Sequence, residues 1–256
     1  MHFVHAVLLG MVEGLTEFLP VSSTGHLLLA ARLLHLSQTE FIKSFEIAIQ
    51  SGAIVAVLFL YGRILLKDKE ALKRVCVAFI PTGILGFLLH KIVKKFLLHD
   101  TTVVLWSLLA GGIFLIVFER FHKEKDSHGS SFADISYPKA VLIGLCQSLA
   151  MVPGVSRSAA TIVGGLAVGL KRKMIVEFSF LLAIPTLLAA TALDLLKSSR
   201  VFSGSEWQLL GVGALVSFIV AIFSIKFFLR YIQKYDFTLF GVYRIAVALL
   251  FFGLIK

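Results

Sequence analysis

The chain has 256 residues, of which 58% are hydrophobic and only 16% are charged, and its formal net charge is +10. A soluble domain carries about 25% charged residues, so this composition excludes a water-soluble globule, and the high apolar content excludes a disordered chain. The class that remains is a polytopic membrane protein, in which the excess positive charge indicates cytoplasmic loops and not a nucleic-acid surface.

The first predicted element is a broken apolar segment over 4–34. Its start lacks the Lys and Arg residues of a secretory signal, so we expect no cleaved signal peptide. Proline, glycine and serine interrupt the segment near Pro20. Each half is too short to cross a bilayer alone. We therefore predict a re-entrant helix–loop–helix hairpin, whose irregular backbone must be shielded from lipid.

The rest of the chain repeats this plan of one broken segment followed by three apolar runs. A polar stretch over 122–136 separates the two halves. A second broken segment, 138–170, follows it and is interrupted near Pro153. A spanning helix requires about 20 residues, and the predicted spans are 42–62, 75–97 and 102–120 in the first half and 174–196, 207–230 and 237–255 in the second.

The two broken segments also match in sequence when the chain is displaced by 134 residues. Gly10 then falls on Gly144, Ser22 on Ser156, and Glu13 on Gln147. Three spans after each hairpin would turn the second half upside down relative to the first. We predict an all-α transmembrane domain over 1–256, built of two inverted repeats over about 1–121 and 137–256 and linked by 122–136.

The distribution of Lys and Arg predicts how this domain is oriented. Loops on the face opposite the termini would carry 14 of these residues, against 8 on the terminal face. Because basic residues accumulate on the cytoplasmic side, we expect both termini outside and the first hairpin entering from outside.

Glu13 and Glu17 are the first candidate site residues. They are four residues apart and share one helix face. A charged side chain at the bilayer centre costs about 2.5–3.5 kcal/mol, so this pair requires a compensating cation. A divalent ion that prefers oxygen ligands, Mg²⁺ or Ca²⁺, would supply it. The alternative is that both carboxyls reach the surface or stay protonated.

A cluster of hydroxyls and one histidine follows the break at Pro20. Ser22, Ser23 and Thr24 lie where a second half-helix would begin, so one of them is explained as its N-cap. His26 needs another explanation. Beside two carboxylates and two serines, it is a candidate for proton transfer or nucleophilic attack.

Arg157 is the charged residue of the second break. Its guanidinium cannot lose its proton at any relevant pH, and its planar fork suits phosphate oxygens. Thr161 lies four residues later on the same face. These features predict a phosphate site, with a salt bridge from Arg157 to Glu13 or Glu17 as the alternative.

Other polar residues inside the apolar segments carry weaker predictions. Glu46, Gln50 and Glu177 either line the same cavity or brace the hairpins, and Arg244 and Asp194 are interpreted as structural pairs or interfacial anchors.

Two motifs resemble those of the undecaprenyl-diphosphate phosphatase family, also called the bacitracin resistance proteins. Residues 13–26 read EGLTEFLPVSSTGH, and residues 153–161 read PGVSRSAAT. Both are long and occur in the family's order, and the resemblance runs nearly end to end. It includes Phe45 with Glu46 and Gln50, and Glu177 with Pro185.

The resemblance implies a hydrolase of the bacterial inner membrane that acts on a phosphorus anhydride. Such an enzyme converts undecaprenyl diphosphate to undecaprenyl phosphate and inorganic phosphate, which recycles the lipid carrier for peptidoglycan synthesis, supports cell shape and confers bacitracin resistance. The family also implies Mg²⁺ or Ca²⁺ dependence and a site that opens to the periplasm. The expected partners are the polyprenyl diphosphate substrate and membrane lipids, with a homodimer as a possible assembly and no nucleic acid.

Carried over residue by residue, the resemblance implies that Glu17, Ser23, His26 and Arg157 are catalytic. It places Ser22, Ser156, Arg157 and Thr161 around the diphosphate, and Glu13 and Glu17 on the metal. Our preferred hypothesis has Ser23 as the nucleophile and His26 or Glu17 as the group that takes its proton. Direct attack by His26 or by water are the alternatives.

A transporter is the competing function. Inverted repeats with broken helices at the midplane are typical of transporters, which bind anions at half-helix ends. The same site could therefore move a polyprenyl phosphate across the membrane, and fold alone does not distinguish the two functions.

Overall fold

The computed structural model describes residues 1–96, 100–122, 131–198 and 202–254, and over these ranges the chain is helical with no β-strand. This confirms the all-α prediction. Part of the predicted linker, 123–130, lies outside the described residues. The described helices are α1 (Phe3–Thr16), α2 (Ser23–Leu33), α3 (Glu40–Ala48), α4 (Gln50–Lys67), α5 (Lys69–Phe96), α6 (Thr101–Phe121), α7 (Tyr137–Ser148), α8 (Arg157–Ala167), α9 (Arg172–Ser198), α10 (Gly204–Tyr231) and α11 (Thr238–Leu254).

Five helical stretches are long and apolar enough to cross a membrane, which confirms a multi-pass membrane protein. They are Glu40–Lys67, Lys69–Leu89, Thr101–Phe121, Arg172–Asp194 and Gly204–Tyr231, and they correspond to the first five predicted spans. The sixth predicted span is α11, which is apolar and 17 residues long over its described part.

The first predicted span, 42–62, is two helices and not one. α3 ends at Ala48 and α4 begins at Gln50, with Ile49 between them. Ser51 Oγ donates to Ala48 O at 2.6 Å, so a side chain satisfies a carbonyl at the break. No proline lies between 42 and 62, which is why composition alone predicts an unbroken helix here.

Both broken segments form the predicted pairs of short helices. α1 is followed by the irregular residues 17–22 and α2, and α7 is followed by a 3-10 turn, Leu149–Met151, and α8. The short helices have 11 to 14 residues, well below the roughly 20 of a spanning helix. α2 and α8 are displaced from one another by the same 134 residues that align the sequences.

α2 and α8 begin with the same N-terminal cap, a serine with a positive φ angle. Ser22 and Ser156 are their N-caps and have φ angles of 72° and 78°. Their Oγ atoms accept from Gly25 N at 3.4 Å and Ala159 N at 3.2 Å. A left-handed backbone at a residue with a Cβ costs of order 1–3 kcal/mol, so its occurrence at equivalent positions supports the repeat. The inverted relation of the halves stays a prediction.

Close helix approaches are also repeated between the halves. α1 packs on α10, and α7 packs on α5. A Cβ added to Gly10 would meet Gly213 O at 2.5 Å, and one added to the equivalent Gly144 would collide with Ala78 O. Glycine lets the backbones approach this closely, as is common in membrane helix packing.

Arg244 of α11 joins the two hairpin breaks. The side chain is completely buried. Its guanidinium donates to Gly154 O at 2.7 Å, Val155 O at 2.9 Å and Pro20 O at 3.3 Å, and also to α6 at Ser107 O and Leu108 O. The sequence predicts that Arg244 forms a structural pair or anchors the chain at the membrane interface. Among the described residues the partners are backbone carbonyls. Those of Pro20, Gly154 and Val155 lie in the two breaks, where helices leave carbonyls free, and those of Ser107 and Leu108 lie within α6.

Candidate active site

A cavity of about 180 Å³ lies where the two hairpin breaks meet α4, α5 and α9. The first hairpin contributes charged and hydroxyl side chains, and the second contributes Arg157 together with irregular backbone. The lining residues are Glu17, Ser22, Ser23, Thr24, Gln50, Thr82, Gln147, Ala150, Met151, Pro153, Gly154, Ser156, Arg157, Thr186 and Leu187.

Glu17 connects the two halves of the site. It caps the C-terminus of α1 and is 6% exposed. Its Oε2 accepts a hydrogen bond from Ser23 Oγ, and its Oε1 lies 3.2 Å from Arg157 Nη2. The carboxylate therefore bridges a hydroxyl of one hairpin and a guanidinium of the other, which holds the serine O–H against a proton acceptor.

Arg157 is fixed from two sides and still has a free donor. Its Nη1 donates to Ser179 O of α9 at 2.9 Å, its Nη2 donates to Glu17, and its guanidinium lies 6.0 Å from the ring centre of Phe18. Its Nε is buried and has no partner among the described residues. The alternative salt bridge is thus present, with Glu17, and a donor remains for an anion.

The N-termini of α2 and α8 both open onto the cavity, because Ser22, Ser23, Ser156 and Arg157 line it. The first N–H groups of a helix have no partner within the helix and attract negative charge. Ser158 ties the two breaks together by donating to Leu19 O at 2.8 Å. The arrangement can hold a phosphate between two helix starts and Arg157.

Gln147, Thr82 and Thr186 form an uncharged part of the cavity lining. Gln147 Nε2 donates to Thr82 Oγ1 at 2.8 Å and to Thr186 Oγ1 at 3.2 Å. The motifs do not include these residues. Two signals could have found them: Gln147 occupies the position of Glu13 in the repeat, and each threonine directly follows a proline inside a long helix.

Glu13 lies behind this cavity and not on its lining. It is 0% exposed, and neither carboxylate oxygen has a hydrogen-bond partner among the described residues. Glu17, Arg157 and Glu46 are the charged groups that act on it. A buried carboxylate without a partner is costly, so this position requires a cation or a proton.

The fit to a divalent cation rests on these unpaired oxygens. No group of three or more His, Cys, Asp or Glu side chains within the described ranges could hold a metal ion. Mg²⁺ in phosphoryl-transfer sites is commonly held by only one or two carboxylates, with water and substrate oxygens completing its shell. Glu13 and Glu17 could supply the two carboxylates of such a site.

His26 and Thr161 point away from the cavity. His26 Nδ1 lies 2.8 Å from Ser22 O, its Nε2 lies 2.8 Å from Tyr243 Oη, and its ring stacks on that tyrosine. Thr161 is fully buried, with Oγ1 3.0 Å from Arg157 O and 2.5 Å from Ser179 Oγ. His26 and Thr161 therefore do not line the cavity, but each contacts a residue that does, Ser22 and Arg157 respectively.

Of the three weaker candidates, Gln50, Glu46 and Glu177, only Gln50 lines the cavity. Gln50 at the start of α4 lines the cavity. Glu46 and Glu177 are not among its lining residues, and Glu46 Oε1 is buried without a partner in the described part of the chain.

Comparison with known proteins gives one consistent result. The sequence model of the family described as "Bacitracin resistance protein BacA" matches residues 6–250. A protein of Sulfurihydrogenibium sp. named undecaprenyl-diphosphatase is 52% identical over 97% of this chain and 98% of its own length. Proteins with the same name from Aquifex aeolicus and Wolinella succinogenes are each 50% identical, over 96% and 98% of this chain and 96% and 97% of their own lengths.

Proposed function

This chain belongs to the bacitracin resistance protein BacA family, and we propose that it is an undecaprenyl-diphosphatase. It hydrolyses undecaprenyl diphosphate to undecaprenyl phosphate and inorganic phosphate, which returns the lipid carrier to peptidoglycan synthesis and gives bacitracin resistance. The observation that carries the proposal is the buried network in which Glu17 accepts from Ser23 and pairs with Arg157.

The cavity binds the diphosphate through its donors. Arg157 offers its free Nε and can exchange its bond to Glu17 for one to a phosphate oxygen. The backbone N–H groups that begin α2 and α8 add donors that need no reorganisation during the reaction.

Ser23 is the proposed nucleophile. Its Oγ gives its proton to Glu17, forms a bond to the terminal phosphorus, and the bond from that phosphorus to the bridging oxygen breaks. The electron pair leaves with undecaprenyl phosphate, which takes the proton from Glu17. Arg157 stabilises the charge that develops on the phosphoryl oxygens.

Water then releases the phosphate. Glu17 takes one proton from water, the water oxygen bonds to phosphorus, and Ser23 Oγ leaves and recovers its proton from Glu17. His26 is the alternative nucleophile, but its two ring nitrogens contact Ser22 O and Tyr243 Oη. The Ser23–Glu17 hydrogen bond therefore favours Ser23.

Mg²⁺ or Ca²⁺ is the proposed cofactor, held by Glu13 and Glu17. When bound, such an ion supplies positive charge that screens the phosphates during phosphoryl transfer. The unpaired oxygens of Glu13 support this assignment.

The proposed orientation has both termini outside the inner membrane and the cavity open to the periplasm. The charge distribution supports it, with 14 Lys and Arg residues on the opposite face against 8 on the terminal face.

Phosphate release tests the function. Purified protein in detergent, given a polyprenyl diphosphate and Mg²⁺, should release inorganic phosphate, and EDTA should stop the release until Mg²⁺ is restored. Lipid binding without phosphate release would favour a transporter. Release that EDTA does not affect would contradict the proposed metal and leave the hydrolase in place.

A further inference from the structure

Gln147, a residue of the cavity lining, has an unused hydrogen-bond acceptor. The residue is 1% exposed, and its Nε2 donates to both Thr82 Oγ1 and Thr186 Oγ1. Its Oε1 has no hydrogen-bond partner among the described residues. A buried polar atom of this kind calls for an explanation, and a ligand is one.

The hydrogen-bond network fixes which end of the amide faces the threonines. Thr82 Oγ1 lies 2.9 Å from Gly144 O, and Thr186 Oγ1 lies 2.8 Å from Leu182 O. Because a carbonyl oxygen can only accept, each threonine donates its single hydroxyl hydrogen to its carbonyl. Both hydroxyl oxygens then accept from Gln147, which places the Nε2 end of the amide toward them. The Oε1 end is left without a hydrogen-bond partner among the described residues.

The two parts of the cavity lining therefore differ in hydrogen-bonding character. Arg157 and the helix starts offer donors, which suit phosphate oxygens. Gln147 offers a neutral acceptor, which an unprotonated phosphate oxygen cannot use but an O–H group can. The hydrolysis proposed above requires one O–H reactant in addition to Ser23, namely water.

We propose that Gln147 Oε1 accepts a hydrogen bond from the attacking water and thereby makes the enzyme select water over alcohols as the phosphoryl acceptor. The inference rests on the proposed function. In this step Glu17 takes one hydrogen of the water as a proton, and the water oxygen bonds to phosphorus as the bond to Ser23 Oγ breaks. The second hydrogen stays on the new phosphate oxygen and is donated to Gln147.

An alcohol cannot make both interactions. Its single O–H hydrogen goes to Glu17, so its attack leaves Gln147 Oε1 buried and unpaired. A site built to bond a particular hydrogen rejects a reactant that lacks it, because the unpaired group keeps its desolvation cost. Selection of water would prevent phosphoryl transfer to hydroxylated lipids in the surrounding membrane.

Partition between water and methanol tests the inference. Purified wild type and variants receive a polyprenyl diphosphate, Mg²⁺ and a fixed methanol concentration, and the ratio of methyl phosphate to inorganic phosphate is measured. Gln147→Met removes the acceptor at similar size and should raise the ratio about five-fold, as expected for one lost hydrogen bond. Gln147→Asn keeps an amide with both a donor and an acceptor and should raise the ratio less than Gln147→Met does.

Ser224→Ala is the matched control. Ser224 Oγ of α10 donates to a backbone carbonyl, Leu15 O, at 2.8 Å, and the residue lies outside the cavity lining. Its ratio and turnover should equal those of wild type. Because both products come from the same molecules, the ratio does not depend on the yield of folded protein.

The outcomes separate the two proposals. A wild type that releases no phosphate overturns the proposed function and this inference together. Normal wild-type hydrolysis with an unchanged ratio in Gln147→Met overturns this inference alone, because a structural role would lower both products equally. Equal ratios in Gln147→Met and Gln147→Asn would also overturn it. A raised KM for the lipid with an unchanged ratio would make Gln147 a substrate-binding residue instead.

Discussion

Glu17 is buried and accepts hydrogen bonds from two partners, the neutral Ser23 hydroxyl and the positively charged Arg157 guanidinium. Removing one member of a buried ion pair costs about 3–5 kcal/mol, because the other charge stays buried. Substitutions in this network therefore affect folding as well as chemistry. Conservative changes that keep size or charge are the informative ones.

Ser23→Ala removes the proposed nucleophile and leaves the Glu17–Arg157 pair intact. We expect kcat to fall by at least about 10²-fold, since no other hydroxyl donates to Glu17 among the described residues. The measurement is steady-state phosphate release. Ser44→Ala, at a buried serine of α3 outside the cavity, is the control and should keep normal turnover. Near-normal kcat in Ser23→Ala would indicate attack by His26 or water.

Arg157→Lys keeps the positive charge and removes the planar guanidinium with its paired N–H donors. A lysine cannot bond Glu17, Ser179 O and a phosphate in one plane, so we expect kcat/KM to fall about 10- to 100-fold, as for the loss of a charge-assisted hydrogen bond of about 1.5–3 kcal/mol. Arg32→Lys, at an exposed arginine, controls for the exchange itself. Wild-type turnover in Arg157→Lys would show that Arg157 is purely structural.

The sequence motifs identify the charged wall of the site and miss the neutral one. Glu17, Ser23 and Arg157 are found because each occupies a break in an apolar segment, where a charge or hydroxyl is conspicuous. Thr82 and Thr186 are ordinary residues of long helices, and only the packing of α5, α7 and α9 brings them to Gln147. His26 has the right position in the chain, but its ring faces Tyr243.

At the scale of the helices, glycine determines which pairs approach closely. Gly144 of α7 faces the Ala78 carbonyl of α5, whereas an added Cβ at Gly62 of α4 would meet nothing within 4 Å. The two positions therefore predict opposite effects of the same substitution.

Gly144→Ala should destabilise the protein by about 1–3 kcal/mol through overpacking. Gly62→Ala should leave it unchanged or stabilise it by up to about 1 kcal/mol through helix propensity. Thermal unfolding of both variants in the same detergent measures the difference. An unchanged unfolding temperature in Gly144→Ala would contradict the close packing of α7 on α5.

Element boundaries follow from sequence where a break has a chemical signature. Pro20 and Pro153 mark the two hairpin breaks in the right places. Pro81 and Pro185 lie inside α5 and α9, so proline alone does not end a helix here. The break at Ile49 has no proline beside it, and the glycine that follows, Gly52, closely approaches Ala214 of α10.

At the scale of the whole molecule, the charge count predicts which loops face the periplasm. With Cys76 and Cys146 replaced, single cysteines at Ser37 and Lys67 test it, because both positions are exposed and lie at opposite ends of the α3–α4 stretch. In intact cells a membrane-impermeant maleimide should label Ser37→Cys, and Lys67→Cys should react only after the membrane is opened. The reverse pattern would invert the proposed orientation.

The residue-by-residue match between the two halves has an evolutionary consequence. Displacement by 134 residues places Ser23 on Arg157, the first residues of α2 and α8, and both contact Glu17. A symmetric pair of identical half-proteins would carry two serines there, or two arginines. Neither pair combines a nucleophile with an anion-binding cation. Gene duplication and fusion would let the halves diverge at this position and at that of Glu17, which falls on Met151, and would create an asymmetric site that a symmetric ancestor could not have.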